Sequence, residues 1–330
     1  MWKFLLTINK KLVYAIPVMM ILGFLFGVSV SVDFLKQLKS LIIPFTFLMV
    51  YPMMVTLNIN HLKEGIKNVK LQVTTQLINF LIVPFLAYGL GLFFFRDNSY
   101  MALGLLLASL LPTSGMTISW TGFARGNMGA AINMTVIGLT LGSLATPLYV
   151  QALMGTKVDM NIVLVIKQIV YIVFIPMLLG YFTRQFFLKK YGQKEFKKTW
   201  APKFPSLSTI GVLGIVFVAM ALKSKQLAAD PGILWSIFQP LLILYFINFA
   251  LGTIVGKMMF NRGDAIALVY GTVMRNLSIA LAISINAFGE KGTDAALVIA
   301  TAYIIQVQSA AWYVKFTDKL FGPPAEQKIS

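Results

Sequence analysis

The stretch "GTVMRNLSIAL", Gly271 to Leu281, decides how this chain is read. It lies inside an apolar run long enough to cross a bilayer, yet it holds Gly271, Thr272, Arg275, Asn276 and Ser278. A mid-bilayer arginine costs roughly 2.5–3.5 kcal/mol even on the lower scales, so it must face the protein interior and find a partner there. The eleven acids are Asp33, Glu64, Asp97, Asp159, Glu195, Asp230, Asp264, Glu290, Asp294, Asp318 and Glu326, all in loops or at span ends. No carboxylate is available to Arg275 at the midplane. It must be satisfied by carbonyls, by amide and hydroxyl side chains, or by an anion that comes and goes; its planar fork suits a carboxylate or oxyanion.

The surrounding composition is that of a membrane protein. Of 330 residues, 58% are hydrophobic, and the mean hydropathy is +0.80; soluble domains are about 45–50% apolar. Apolar runs of span length recur along the chain. The first begins near Leu12 after Lys3, Lys10 and Lys11 and ends in no small-x-small cleavage site, so it reads as a spanning helix. There is no cysteine, which excludes disulfides, thiolate metal sites and thiol nucleophiles. The one histidine, His61, falls in a charged loop, so no histidine metal site or triad can be assembled. The sequence calls for no cofactor or metal. With no buried acid, histidine or cysteine, an enzyme lacks its acid–base residues. A receptor of about seven spans with a mid-span lysine also fits poorly.

Ten spans are expected, at 12–31, 38–58, 70–95, 100–122, 127–154, 160–185, 206–223, 232–259, 265–288 and 293–316. The stretch from Arg184 to Lys203 reads as the longest charged loop. The net charge of +17 comes from loop lysines and arginines, which calls for a lipid surface and not for nucleic acid. With ten spans both termini share a side, and 19 of the 28 Lys and Arg lie there against 7 on the other. Lys167, about two turns into its span and able to snorkel, and Arg275 are the remaining two. That excess predicts a multi-pass protein of the cell membrane with both termini cytoplasmic. The halves, 1–155 and 160–320, carry five spans each. An odd number per half gives them opposite orientations, the plan of an inverted repeat.

Span four breaks as span nine does. "LLPTSGMTISW", Leu110 to Trp120, places Pro112, Thr113, Ser114, Gly115 and Thr117 near its middle. Proline removes a donor and clashes with the turn before it, and glycine loosens the turn after it. Both breaks fall near the midplane and at corresponding positions of the two halves, so the half-helix ends can converge on one polar cavity. The expected substrate-binding residues are Arg275, Asn276, Ser278, Thr113, Ser114, Thr117, Asn79 and Asn133. Thr272, Thr135 and Gln306 are the candidates for a coupling ion, sodium or proton. Singly, Asn79, Asn133, Thr135, Asn276, Asn286, Gln306 and Gln308 serve equally well as interhelical packing. Carriers coupled to protons or sodium commonly use an embedded acid or histidine, and this chain has none.

At these spans the sequence resembles the superfamily of bile acid:sodium symporters and arsenite efflux permeases. "LMVYPMMVTLNINHLKEGIKN" (Leu48–Asn68), "YIVFIPMLLGYFTRQFF" (Tyr171–Phe187), "LLILYFINFALGTIVGK" (Leu241–Lys257) and "RNLSIALAISINAFG" (Arg275–Gly289) are similar to the permease branch. "FARGN" (Phe123–Asn127) is similar to the bile acid branch. The resemblance implies an all-α fold of ten transmembrane helices in two inverted five-helix repeats. In it, broken helices four and nine cross in a core domain that moves against a panel domain. It also implies transport by alternating access. The departures are specific. Thr113 stands where the permeases carry cysteine, and Ser278 where their span-nine motif has glutamate. Gly271 and Arg275 stand at the glutamate and glutamine of the symporters' sodium sites, and Ile118 at their span-four asparagine. The sequence expectation is therefore a transporter of a small organic anion in which Arg275 takes a sodium-binding position. Arsenite or antimonite efflux is the alternative.

Overall fold

In a computed structural model, residues 6–8, 11–56, 68–158 and 162–323 are described. The expected loop around His61 lies outside them. Every extended element among the described residues is helical. We number the helices α1 (Leu12–Ser29), α2 (Ile42–Thr56), α3 (Val69–Phe94), α4 (Ser99–Leu110), α5 (Gly115–Phe123) and α6 (Met128–Met154). They continue as α7 (Val163–Trp200), α8 (Lys203–Ala229), α9 (Gly232–Met259), α10 (Arg262–Val273), α11 (Leu277–Phe288) and α12 (Gly292–Phe321).

Six of these, α3, α6, α7, α8, α9 and α12, are long and apolar enough to cross a membrane by themselves. The stretches read as spans four and nine are each two short helices, because Pro112 and the Met274–Asn276 segment stop the helical hydrogen-bond ladder. The outer surface carries large apolar side chains, among them Phe246 (74% exposed) and Met258 (79% exposed). Such a girdle is stable against lipid and would be costly in water. The chain is a multi-pass membrane protein.

The structure departs from the sequence expectation in the charged stretch Arg184–Lys203. Helix α7 continues through it to Trp200, bent at Gly192 (φ 76°). Its lysines and glutamate are good helix formers, and Phe187 gathers Tyr191, Phe196, Trp200 and Phe204 around its ring. Helix α8 likewise runs six residues beyond its expected end, which makes Lys223 and Lys225 helical.

The helices sort into two bundles by what they touch. Helices α1 and α2 flank α8, and α7 lies on α2. These seams are close because they run over glycine. A Cβ at Gly27 would sit 2.4 Å from the Ala221 carbonyl, and one at Gly211 2.4 Å from the Met49 nitrogen. The second bundle joins α3 to α6 with α9 to α12, and its α4–α12 seam closes over Gly104. The bundles meet mainly through α11 and the adjoining part of α12.

Candidate functional site

The two breaks find each other. Pro112 and Arg275 form an antiparallel bridge. The Thr113 N–H donates to the Met274 carbonyl at 2.7 Å, and the Asn276 N–H to the Leu111 carbonyl at 2.8 Å. Each break thus supplies the backbone partners that the other lost, which is how irregular backbone persists where no water reaches it. Thr113 holds φ at 67°, a left-handed conformation that is unusual for a β-branched residue. The seat is built around it. A Cβ at Gly138 on α6 would lie 2.7 Å from the Thr113 hydroxyl, and one at Gly142 2.8 Å from Pro112 Cδ.

Two half-helices begin at this crossing. Ser114 caps α5, its hydroxyl accepting from Met116 N–H at 3.2 Å, while Thr117 Oγ1 accepts from Ser114 N–H at 3.1 Å. Asn276 caps α11, accepting from Ile279 N–H at 3.2 Å. The first N–H groups of a helix lack intrahelical acceptors and carry the positive end of its dipole. Gly115, the first residue of α5, is exposed, and nothing lies within 4 Å of where its Cβ would be. Ser119, one turn on, is also exposed, and Ser278 is half-buried with its hydroxyl paired to that of Tyr303.

Arg275 itself turns inward and is 3% exposed. Its Nη2 donates to the Thr272 carbonyl at 2.5 Å. That carbonyl belongs to the last turn of α10, the negative end of that helix. Asn79 Nδ2 donates to the neighbouring Gly271 carbonyl at 3.0 Å, and Asn248 Nδ2 to Thr272 at 2.9 Å. A guanidinium and two amides therefore gather on one helix C-terminus. Arg275 Nη1 and the Oδ1 atoms of Asn79 and Asn248 are buried without hydrogen-bond partners. The backbone of Arg275 is held by Gln306 of α12, whose Oε1 accepts from its N–H at 2.8 Å and whose Nε2 donates to its carbonyl at 3.2 Å. Tyr245 supports Gln306 through its hydroxyl at 3.0 Å.

Several residues singled out in the sequence meet here. Arg275, Asn276, Ser114, Thr117, Thr113, Thr272, Asn79 and Gln306 all belong to the crossing or brace it. Thr113 is fully buried, with its hydroxyl 2.5 Å from the Pro112 carbonyl and 3.3 Å from those of Met134 and Thr135. Thr135 bonds mainly to its own helix, at 2.8 Å from Ala131 O, and reaches Ser114 O at 3.5 Å. Asn133 is 8% exposed with an unpartnered Oδ1. Asn248 and Tyr245 were not singled out in the sequence, although an asparagine inside the apolar run of α9 was a readable signal. A second cluster was missed because Asp264 stands at a span end. Its carboxylate accepts from Asn68 and Asn127 at 2.7 Å and from Asn261 at 3.1 Å, tying together the caps of α3, α6 and α10. Away from the crossing, a cavity of about 310 Å³ lies where α2 and α7 face α11, lined by Thr46, Gln168 and Asn286 among others. Among the described residues, no cluster of three or more His, Cys, Asp or Glu offers a metal site.

Residues 43–230 match the model of the Sodium Bile acid symporter family. The chain is 24% identical over 288 residues to the arsenical-resistance protein Acr3 of Alkaliphilus metalliredigens, covering 83% of this chain and 80% of that one. To the arsenical-resistance protein Acr3 of Corynebacterium glutamicum it is 23% identical, covering 75% and 70%. To the uncharacterized sodium-dependent transporter YocS of Bacillus subtilis it is 24% identical, covering 74% of each chain.

Proposed function

The chain belongs to the sodium bile acid symporter family, and from that premise we propose that it carries a small organic anion across the cell membrane by alternating access. The observation behind this reading is the charge balance at the crossing. Two helix N-termini start there, and a permanent guanidinium occupies the neighbouring helix C-terminus. Among the described residues no carboxylate pairs with that guanidinium. The result is a polar centre of net positive character in a low-dielectric setting, suited to a carboxylate.

In this reading Gly115 N–H, Ser114, Asn276 and Ser278 meet the anion. Thr113, Thr117, Asn79 and Asn133 shape the wall behind them. Arg275 supplies fixed charge. It stands where the resemblance places a sodium ligand, and its guanidinium lies against the Thr272 carbonyl of α10, a group of the kind that holds a cation. The protein thus carries its own cation at that position and needs no sodium. Thr272, Thr135 and Gln306 then brace the backbone and hold no ion. The ten-span arrangement with inverted halves, 1–155 and 160–320, and cytoplasmic termini is part of the same proposal. Its support is the match between α4 and α10, each 12 residues long and each capped by asparagine, Asn98 and Asn261. The α1, α2, α7 and α8 bundle would be the panel and the other bundle the core.

A purely anionic cargo moves negative charge, so an inside-positive potential should accelerate uptake into proteoliposomes and an inside-negative one should slow it. A labelled set of short mono- and dicarboxylates, tested without sodium, gives the readout. No uptake above protein-free liposomes for any member would refute the proposal. Arsenite or antimonite efflux is the second reading, favoured by the two arsenical-resistance relatives. Restored arsenite resistance in a pump-deleted host would establish it in place of the first.

A further inference from the structure

Of the ion pairs formed between described residues, one joins the two bundles. Lys223 of α8 lies 2.5 Å from Asp294 in the first turn of α12, with side chains 14% and 18% exposed. The other, Arg262 with Asp318, lies inside the second bundle. We infer that Lys223 and Asp294 form a latch that closes the seam between the bundles at the end where α11 gives way to α12, and that it opens when the bundles move. The inference rests on the alternating-access reading above.

The two partners are held differently. Asp294 is fixed to its own bundle: it sits at the positive end of α12, and Asn98, which caps α4, donates to its Oδ2 at 3.4 Å. If the lysine leaves, Asp294 keeps the Asn98 bond and the helix dipole, while its Oδ1, which makes no hydrogen bond, loses its ion-pair partner. Lys223 is a flexible ammonium with a second acceptor on its own helix, Gln226 Oε1 at 3.2 Å. Lys223 therefore has a second acceptor to move to, and Asp294 stays anchored to its own bundle, so the pair can part without leaving either side chain unheld. The same seam carries a second crossing bond, Asn286 Nδ2 to Thr46 Oγ1 at 3.4 Å, beside the 310 Å³ cavity. On the other side of the crossing, α5 packs on α6, α10 and α12 and leaves Gly115, Ser119 and Phe123 exposed. One end of the seam is fastened while α5 stays uncovered, so unfastening it would let the bundles rock and cover α5.

The absence of cysteine makes a clean test possible. Ser119→Cys places one thiol on the uncovered face of α5, and its labelling by a membrane-impermeant maleimide in permeabilised membranes measures that face's exposure. With Ser119→Cys as parent, Lys223→Gln and Asp294→Asn should each slow labelling, by up to about fivefold, as the population leaves the latched state. Lys223→Arg, which keeps the charge, should label like the parent. Unchanged rates in both neutralised variants, with the monodisperse elution of the parent, would overturn the latch; so would Lys223→Arg behaving like Lys223→Gln. The readout needs no substrate. The latch can therefore fail while anion transport stands, and the reverse.

Discussion

Replacing Gly115 by alanine should leave the fold intact and damage transport, because at this position structure and function make opposite demands. Gly115 has an ordinary backbone conformation, and an added Cβ would meet no atom within 4 Å. Alanine in a helical position is favoured over glycine by at most about 1 kcal/mol, so the variant should be as stable as the parent or slightly more so. The same Cβ would project into the space from which an anion reaches the first N–H groups of α5. A hydrogen bond to a charged group is worth about 1.5–3 kcal/mol, and each 1.4 kcal/mol is tenfold in affinity. Half-saturation of uptake should therefore move upward by roughly 12- to 140-fold. Gly89→Ala on α3 is the control, since its Cβ also meets nothing and it lies away from the crossing. The assay is concentration-dependent uptake into proteoliposomes of the carboxylate that the parent carries best, with thermal stability measured on the same preparations. A Gly115→Ala protein with unchanged half-saturation would refute the placement of the anion at the start of α5.

Contacts around the crossing set three further outcomes. Gly138→Ala brings a Cβ to 2.7 Å from the Thr113 hydroxyl, and overpacking of this kind costs about 1–3 kcal/mol, so it should lower the apparent melting temperature where Gly89→Ala does not. Gln306→Leu strips both backbone partners from Arg275 at a cost of about 2–6 kcal/mol for two stranded groups; thermal denaturation in detergent should show the loss, and uptake should fall with it. Asp264→Ala leaves Asn68, Asn127 and Asn261 without their shared acceptor and should destabilise by about 2–4 kcal/mol, a shift readable by fluorescence-detected gel filtration after heating.

Much of this site could be read from residue order. Pro112 and Arg275 interrupt apolar runs near their middles, and a polar break in hydrocarbon must be answered by another part of the protein. The structure pairs those very two residues. Arg275 donates to a carbonyl, one of the partners that the acid census left open to it. Its partner was not readable, because Thr272 lies three residues back on the same chain, and only the broken geometry after Val273 lets the side chain fold onto the end of α10. Gln306 looked like an ion ligand or packing glue; its use as a two-point brace depends on the depth at which α12 crosses. Asp264 and Lys223 were read as span-end or loop charges, since hydropathy fades at helix ends whether or not the side chain is buried. The Arg184–Trp200 stretch is helical because its aromatic residues find each other, a tertiary effect invisible to a charge count.

If Arg275 does the work of a bound cation, anion uptake depends on Arg275 and not on sodium. The most direct test compares anion uptake by the parent and by Arg275→Ala in proteoliposomes, each with sodium and with choline in its place. The parent should take up the anion equally in both media, and Arg275→Ala should take up none in choline. Parent uptake that vanishes without sodium, or Arg275→Ala uptake that persists in choline, would contradict it.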